Sequence, residues 1–238
     1  MVRRNTRQRL LALLFPERCC CCGKPVPCGS VVCGDCRPRL KRILPPLCRY
    51  CGCALRDCGC GKHKKHTERC AAPFYYEGAG KSALHRLKFG GREYAAEMFC
   101  LSMAETVKRE YNGVRFDCIV PVPLSPSIKQ KRHYNQSLIL AKGLSGLLGI
   151  PCADILMKKY ETTPQRELPA YRRSGNVLGV FDLSPGAELR KESGILLVDD
   201  TITTGATLDE CAKILKLYGA GAVYAIAATA SRLSGTEK

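Results

Sequence analysis

Residues 195–207, ILLVDDTITTGAT, combine side chains that suit the binding of a sugar phosphate. Two adjacent carboxylates, Asp199 and Asp200, follow an apolar run and can accept hydrogen bonds from vicinal ribose hydroxyls. The hydroxyl-rich turn after them offers backbone N–H groups and threonine hydroxyls to a phosphate, and the start of a helix adds its positive dipole end. Gly205 permits a close backbone approach. The phosphate-binding residues predicted by this pattern are Thr201, Thr203, Thr204, Gly205, Ala206 and Thr207.

The cysteines form a second chemical pattern, since 13 of the 17 lie between Cys19 and Cys70. Two C-x2-C pairs have the spacing with which a zinc knuckle presents two thiolates to one ion. They predict a tetrahedral zinc site made by Cys19, Cys22, Cys33 and Cys36. An iron–sulfur cluster and a disulfide framework are the alternatives, but repeated C-x2-C spacing beside an α/β sequence favours zinc in a reducing cytosol.

A second zinc site begins with Cys48 and Cys51, and its other half is irregular. The candidates for that half are Cys53, Cys58, Cys60, Cys70, His63 and His66. We expect Cys58 and Cys60 to complete the site. The pattern thus predicts one or two structural zinc sites, and some of Cys20, Cys21 and Cys28 are expected to be surplus thiols.

Positive charge is concentrated in the cysteine-rich part of the chain. The formal net charge is +17, and residues 1–70 hold 16 Lys/Arg against 4 Asp/Glu, whereas residues 71–238 hold 22 against 17. Zinc-bound thiolates reduce the first excess without removing it. A module this basic favours a polyanion partner such as nucleic acid. No run reaches the ~18 apolar residues that a membrane span requires, so we expect no membrane span. The reducing cytosol that the cysteine spacing favours predicts a cytoplasmic protein.

The hydrophobic pattern divides the chain into two domains. A basic amphipathic helix at about 4–15 and the cysteine module make up residues 1–70. Residues 71–238 form the second domain, in which 71–112 is a bridging segment with a strand at PFYYEG and helical periodicity broken at 90–91. Downstream, β-branched apolar runs alternate with helical patterns. This alternation predicts an α/β fold, a parallel sheet flanked by helices with ligand loops at the carboxyl ends of the strands.

Family resemblance adds to this interpretation. Asp and Thr after a buried strand often cap a helix, but the ordered combination at 195–207 is much rarer and resembles the phosphoribosyl pyrophosphate (PRPP) signature of type I phosphoribosyltransferases. A second resemblance rests on the cysteine module and on three segments: IVPVPLSPSIKQKRHYNQSLILAKGL from residue 119, TTPQREL from 162 and RRSGNVLGVF from 172. Through these features nearly the whole chain is similar to the ComF family of competence proteins. The resemblance implies a type I phosphoribosyltransferase-like domain behind a small N-terminal zinc-binding module.

The resemblance also implies roles for individual residues. Asp199 and Asp200 would bind the ribose hydroxyls of PRPP, residues 203–207 would bind its 5′-phosphate, and Mg²⁺ would accompany the ligand. The loop at 121–124 would lie beside pyrophosphate, and the candidates there are Pro123, Leu124, Lys131 and Arg132. The alternative for Lys131 and Arg132 is a solvated basic loop. Lys88 matches a family position and would reach a phosphate, or else is a solvated helix lysine.

Two further segments follow from the same resemblance. Residues 162–173 would form a hood that closes over PRPP, with contacts from Gln165, Arg172 and Arg173. The family sequence R-G-F-N-Q is replaced here by Arg132-His133-Tyr134-Asn135-Gln136. Histidine in place of glycine removes easy access to positive φ, which puts the detailed geometry of this loop in doubt.

The family role is the handling of incoming single-stranded DNA during natural transformation or DNA use, with DNA-uptake or recombination proteins as further partners. On this interpretation the basic zinc module contacts DNA phosphates, and Phe74, Tyr75 and Tyr76 either stack on bases or belong to the core. Two alternatives stay open. One is a Mg²⁺-dependent phosphoribosyltransferase whose acceptor no residue identifies, and the other is a regulator that senses PRPP.

Overall fold

The computed structural model describes residues 16–60, 66–89, 94–126, 128, 130, 134–159 and 179–232. The basic helix predicted for 4–15 lies outside this part of the chain. The other predicted residues that lie outside it are His63, Lys131, Arg132, His133, Gln165, Arg172 and Arg173.

The described residues form short and long strands interleaved with helices. The strands are β1 (Cys70–Ala71), β2 (Phe74–Tyr75), β3 (Cys118–Pro121), β4 (Leu156–Lys158), β5 (Phe181–Leu183), β6 (Ile195–Ile202) and β7 (Val223–Ala230). The helices are α1 (Gly78–Phe89), α2 (Ala95–Glu110), α3 (Gln136–Leu148) and α4 (Ala206–Leu217). The end of α1 and the start of α2 confirm the break predicted near residues 90–91.

A parallel sheet forms the centre of the molecule, with β3, β6 and β7 side by side and β1 and β2 both paired to the outer edge of β7. Leu196 of β6 lies between Ile119 of β3 and Tyr224 of β7. Residues 195–198 of β6 are fully buried, as expected for a strand covered on both faces. Helices α2 and α3 pack together on one face, and α4 covers the other. The predicted α/β class, a parallel sheet flanked by helices, is confirmed.

Strand β6 is longer than the sequence pattern indicates. The loop was expected to begin at Thr201, but Thr201 and Ile202 pair with Thr229 and Ala230 of β7. Because β7 is itself eight residues long, its carboxyl end supplies backbone partners that no local pattern reveals. The predicted start of the loop is therefore wrong, and the turn before α4 is limited to residues 203–205.

The cysteine module continues directly into the edge of the sheet. Ile43 N–H donates to the carbonyl of Pro73 at 2.9 Å, and Tyr75 N–H donates to the carbonyl of Lys41 at 2.8 Å. Arg42 and Phe74 form the antiparallel bridge between these two bonds. Strand β2 thus lies between β7 and the module, so the bridging segment supplies edge strands to the sheet and an attachment for the module.

The aromatic run beside this junction belongs largely to the core. Phe74 is completely buried and meets Phe99 edge to face at 6.2 Å, and Tyr75 is also buried. Tyr76 is half-buried, with Lys81 Nζ 5.8 Å from the centre of its ring. Stacking of bases on Phe74 and Tyr75 is therefore wrong, because both side chains are buried where β2 lies between β7 and the cysteine module.

Candidate ribose-phosphate site and cysteine clusters

The carboxylate pair lies at the carboxyl end of β6, where its two members have different partners. Asp199 Oδ1 accepts a hydrogen bond from Ser137 Oγ at 3.1 Å and another from the backbone N–H of Asp200 at 2.7 Å. Asp200 Oδ1 lies 2.8 Å from Lys88 Nζ in an ion pair whose side chains are 14% and 19% exposed. The prediction that Lys88 reaches a phosphate is untested, but the lysine does lie at the site rather than in open solvent.

The electrostatics of the pair differ between the two acids. Burial, followed by the neighbouring charge of Asp200, raises the pKa of Asp199 to about 7, although Lys88 and Ser137 act in the opposite direction. The Asp199 carboxyl therefore keeps its proton to a higher pH than an exposed aspartate does. Lys88 supplies the positive charge opposite Asp200.

The turn between β6 and α4 places a left-handed glycine at the start of the helix. Gly205 adopts φ 77°, in the left-handed region, and occupies the N-cap of α4. Thr204 Oγ1 accepts a hydrogen bond from the N–H of Ala206 at 3.3 Å, and both Thr203 and Thr204 are exposed. Thr207 is half-buried in the first turn of the helix. The predicted residues 203–207 therefore lie together around one helix start.

Thr201 has a different position from the rest of the predicted phosphate-binding set. Its Oγ1 lies 3.1 Å from Thr229 Oγ1 within the sheet. Thr229 Oγ1 also donates to the carbonyl of Asp200 at 3.3 Å. These contacts give Thr201 and Thr229 a structural part in holding the backbone of the carboxylate pair.

The loop after β3 is tied to the start of α3 by an asparagine. Asn135 Oδ1 accepts from the N–H of Ser137 at 3.0 Å and so caps α3, and its Nδ2 donates to the carbonyl of Val122 at 3.0 Å. The capped helix start presents Ser137 to Asp199. The sequence pattern named Asn135 only in the loop at 132–136, and neither Asn135 nor Ser137 was predicted as part of the site. An N-cap asparagine two residues before a serine is the local signal that could have found them.

The predicted pyrophosphate-loop residues Pro123 and Leu124 line a cavity of about 840 Å³. Its other walls come from α3, from β4 and from Ser184 after β5, and they include Lys142 and Lys158. The lining does not include Asp199 or Asp200, so this cavity lies beside the carboxylate pair and not around it.

Helix α1 joins this site to the cysteine module. Arg86 Nε donates to the carbonyl of Cys21 at 3.0 Å, and its Nη2 donates to the carbonyl of Cys22. Gly23, with φ 81°, leaves room for this guanidinium, because a Cβ there would lie 2.7 Å from Arg86 Nη1. Two residues further along the same helix, Lys88 pairs with Asp200.

The end of α1 is held by a further contact. Tyr134, in the loop that leads to α3, donates its hydroxyl to the carbonyl of Leu87 at 2.6 Å. Leu87 itself is completely buried. The last turn of α1 is therefore fixed by the first cysteine knuckle, by the start of α3 and by β6.

The first four predicted zinc ligands come together in one cluster. Their sulfur atoms all lie within 4.8 Å of one another, and Cys22 Sγ is 3.7 Å from Cys33 Sγ. Tetrahedral zinc with Zn–S bonds of about 2.3 Å requires S–S separations of about 3.8 Å. The cluster of Cys19, Cys22, Cys33 and Cys36 therefore has the donor type and spacing for zinc.

The second cluster has the membership that was expected, made by Cys48, Cys51, Cys58 and Cys60. Cys48 to Cys60 and Cys51 to Cys58 are both 3.7 Å between sulfurs, again close to a tetrahedral edge. The competing residues that the structure describes lie outside this cluster. Cys53 Sγ donates to the carbonyl of Ser231, Cys70 lies in β1, and the backbone N–H of His66 donates to Asp209.

The expected surplus thiols lie outside both clusters. Cys20 Sγ donates to the carbonyl of Tyr94 at 3.1 Å, and Cys21 Sγ contacts the sulfur of Met98. Cys28 is exposed and lies near Glu17. Burial raises the pKa of Cys20 to about 11, which suits a neutral core thiol.

One thiol of each cluster has a pKa below that of a free cysteine. Burial opposes ionisation of Cys19, but N–H donation from Cys33 and from the knuckle backbone outweighs it and lowers the pKa of Cys19 to about 6. The same competition, with donors from Cys51 and Tyr50, lowers the pKa of Cys48 to about 7. A thiolate is the form that binds zinc, so the knuckle backbone favours metal binding.

Comparison with known proteins supports the phosphoribosyltransferase-like part of this fold. The phosphoribosyl transferase domain family matches residues 135–238. Competence protein F of Haemophilus influenzae is 30% identical over 198 residues, which cover 79% of this chain and 85% of that protein. The chain belongs to the ComF family of competence proteins.

Two further relatives extend the match for this ComF protein. Competence protein ComFC of Streptococcus pneumoniae is 31% identical, covering 80% of this chain and 84% of its own. DNA utilization protein YhgH of Escherichia coli K12 is 30% identical over 221 residues, which cover 89% of this chain and 96% of that protein. Within the described part of the ComF chain, helices are too short or too polar to cross a membrane.

Proposed function

We propose that this ComF protein binds PRPP at the end of β6 and handles single-stranded DNA through its zinc module. The observation that carries the first part is the Asp199–Asp200 pair followed at once by the Gly205 turn and the start of α4. These groups lie at the carboxyl edge of a parallel sheet, where ligands of open α/β folds bind.

Each group at this edge has a role in the proposed binding. The ribose 2- and 3-hydroxyls donate to the two carboxylates, and the backbone N–H groups of residues 203–207 donate to the 5′-phosphate. Lys88, already 2.8 Å from Asp200, supplies positive charge close to the diphosphate. Mg²⁺, held largely by substrate oxygens and water, neutralises diphosphate charge when it is bound.

Titration of the purified protein with PRPP and Mg²⁺ tests this site. We expect saturable binding in isothermal titration calorimetry, lost in the double variant Asp199→Asn with Asp200→Asn. Asp35→Asn is the matched control, because Asp35 lies exposed in the zinc module and pairs with Lys24. Equal PRPP affinity in the wild type and the double variant contradicts the assignment.

Release of pyrophosphate separates the enzymatic alternative from the others. A phosphoribosyltransferase would release pyrophosphate from bound PRPP in the presence of the correct nucleobase or other acceptor, whereas a sensor or scaffold would bind without turnover. The same double variant should abolish any release. Since no residue identifies the acceptor, a panel of bases is the appropriate substrate set.

The DNA-handling part rests on family membership and on charge. The relatives are named for competence and for DNA utilization, and the zinc module displays a group of exposed basic side chains. That group comprises Arg37, Arg39, Lys41, Arg42, Arg49 and Arg56. Counterion release from a strand bound to such groups makes affinity fall steeply with salt. A flat salt response of oligonucleotide binding contradicts the proposal.

The metal content of the module can be measured directly. We propose two structural Zn²⁺ ions, so elemental analysis should find two zinc ions per chain, and stoichiometric iron contradicts the assignment. Cys58→Ser should remove one of them. Cys28→Ser is the control and should remove none, since Cys28 is exposed and outside both clusters.

A further inference from the structure

A groove of about 670 Å³ lies between the first cysteine knuckle and the outer face of α1. Cys21 and Cys22 form one wall. The other wall carries Lys81, His85 and Phe89, which are four residues apart and therefore form one row along the helix. We call this row the α1 stripe.

The α1 stripe ends in an aromatic pair that faces solvent. Phe89 is 61% exposed although it is a large apolar residue, and its ring centre lies 4.6 Å from that of His85 at an angle of 42°. The opposite face of α1 buries Leu84 and Leu87 completely. The helix is thus already anchored by its inner face, and the outer aromatic pair does not serve the core of the described structure.

The charge around this pair is positive. Lys81 is exposed at the other end of the stripe, and the half-buried Arg86 lies beside it in the groove wall. The groove is lined by no carboxylate among the residues that the structure describes. A π surface flanked by cations complements a nucleic-acid strand, whose bases stack and whose phosphates are anionic.

We infer that the α1 stripe is a docking surface for single-stranded nucleic acid, with one base stacked on Phe89 and His85 and a backbone phosphate paired with Lys81. This inference rests on the proposed handling of single-stranded DNA and gives that function a location. The α1 stripe takes the place of Phe74 and Tyr75 as the surface for base stacking, because those two residues are buried. Phe89 directly follows Lys88, so the strand would lie next to the residue that pairs with Asp200.

Tryptophan substitution gives a direct test, because the chain contains no tryptophan. In Phe89→Trp, binding of an oligothymidine should quench the fluorescence of the only indole by base stacking. Leu217→Trp, at a 72% exposed position on α4, is the matched control and should show no quenching. Binding of oligothymidine to Phe89→Trp without any change in its fluorescence overturns the inference.

Affinity measurements distinguish the stacking and charge contributions. Base–aromatic stacking contributes about 1–3 kcal/mol per base, so Phe89→Ala should weaken oligothymidine binding about tenfold in fluorescence anisotropy. It should leave binding of an abasic oligonucleotide of equal length unchanged, and Leu217→Ala should leave both unchanged. Lys81→Gln should instead lower the slope of log affinity against log salt by about 0.7, as expected for one lost phosphate contact.

The outcomes separate this surface from the broader function. If the wild type binds oligothymidine and both Phe89→Ala and Lys81→Gln bind it equally well, the α1 stripe is not the DNA surface and the proposed function stands. If the wild type fails to bind single-stranded DNA, the proposed DNA role fails with it. Unchanged melting temperatures of the variants ensure that a loss of binding does not reflect unfolding.

Discussion

Lys88 Nζ and Asp200 Oδ1 lie 2.8 Å apart, although 111 residues separate them in the chain. The lysine comes from the last turn of α1, in the segment that bridges the two modules, and the aspartate comes from the carboxyl end of β6. Through this contact the candidate ribose-phosphate site is shared between the carboxyl end of β6 and the bridging segment that follows the cysteine module.

Loss of the lysine charge should weaken ligand binding. In Lys88→Gln, two carboxylates would face an anionic ligand without their nearest cation, so we expect PRPP affinity to fall about tenfold in the presence of Mg²⁺, or about 1.4 kcal/mol. Isothermal titration calorimetry measures this change. Lys88→Arg should retain most of the affinity, and Lys108→Gln, on the exposed side of α2, should retain all of it. Full affinity in Lys88→Gln would show that the ion pair is only structural.

Removal of the Arg86 guanidinium should loosen the first zinc knuckle. Arg86→Gln loses the hydrogen bonds to the carbonyls of Cys21 and Cys22, and charge-assisted bonds at such a half-buried position contribute about 1–2 kcal/mol. We expect zinc to transfer several times faster to a colorimetric chelator, and PRPP affinity to fall by a smaller factor because Lys88 is displaced. Arg115→Gln, at an 89% exposed side chain, is the control. Unaltered zinc transfer from Arg86→Gln would show that Arg86 does not support the knuckle.

The raised pKa of Asp199 predicts a specific pH dependence of stability. Its pKa is about 7 in the folded protein against a reference of 3.8, so the folded state retains a proton between these values that the unfolded chain has lost. The contribution of Asp199 to the free energy of unfolding therefore decreases as pH rises from about 4 to about 7. Asp199→Asn cannot ionise, so it should be more stable than the wild type at pH 8 by about 1–3 kcal/mol, with little difference at pH 4.

Thermal melts of Asp199→Asn and the wild type at both pH values measure this difference. Asp35→Asn again serves as the exposed control, and its melting temperature should stay parallel to that of the wild type. A variant that is equally or less stable than the wild type at pH 8 contradicts the shifted pKa.

The packing of α2 against α3 depends on a glycine. A Cβ at Gly143 would overlap Cys100 Sγ, whereas a Cβ at Gly146, one turn along and exposed, would meet nothing within 4 Å. Gly143→Ala should lower the free energy of unfolding by about 1–2 kcal/mol, because overpacking exceeds the gain in helix propensity. Gly146→Ala should raise it by about 0.5–1 kcal/mol.

Thermal unfolding of both variants checks these opposite signs. Adding Cys100→Ala to Gly143→Ala should recover part of the loss, because the alanine methyl leaves space where the sulfur lay. If Gly143→Ala is as stable as Gly146→Ala, the two helices do not approach as closely as described.

Local sequence determined a large part of this protein. The order of residues 195–207 indicated a strand, two acids and a threonine- and glycine-containing turn at the start of a helix. These features lie in that order at the edge of the sheet. The C-x2-C spacing indicated the first four-cysteine cluster, and the weaker choice of Cys58 and Cys60 corresponds to the second. Such features are readable because their geometry depends on residues a few positions apart.

Tertiary structure decided the features that depend on distant partners. The length of β6 followed from β7, the burial of Phe74 followed from the sheet edge that its strand completes, and the placement of Lys88 opposite Asp200 followed from the packing of α1. Hydrogen bonding between strands and pairing between charges act through space, so residues far apart in the chain supply them. The sequence by itself determined the chemistry of the acids and thiols, and only the fold decided which cation lies beside the acids and which aromatic side chain faces solvent.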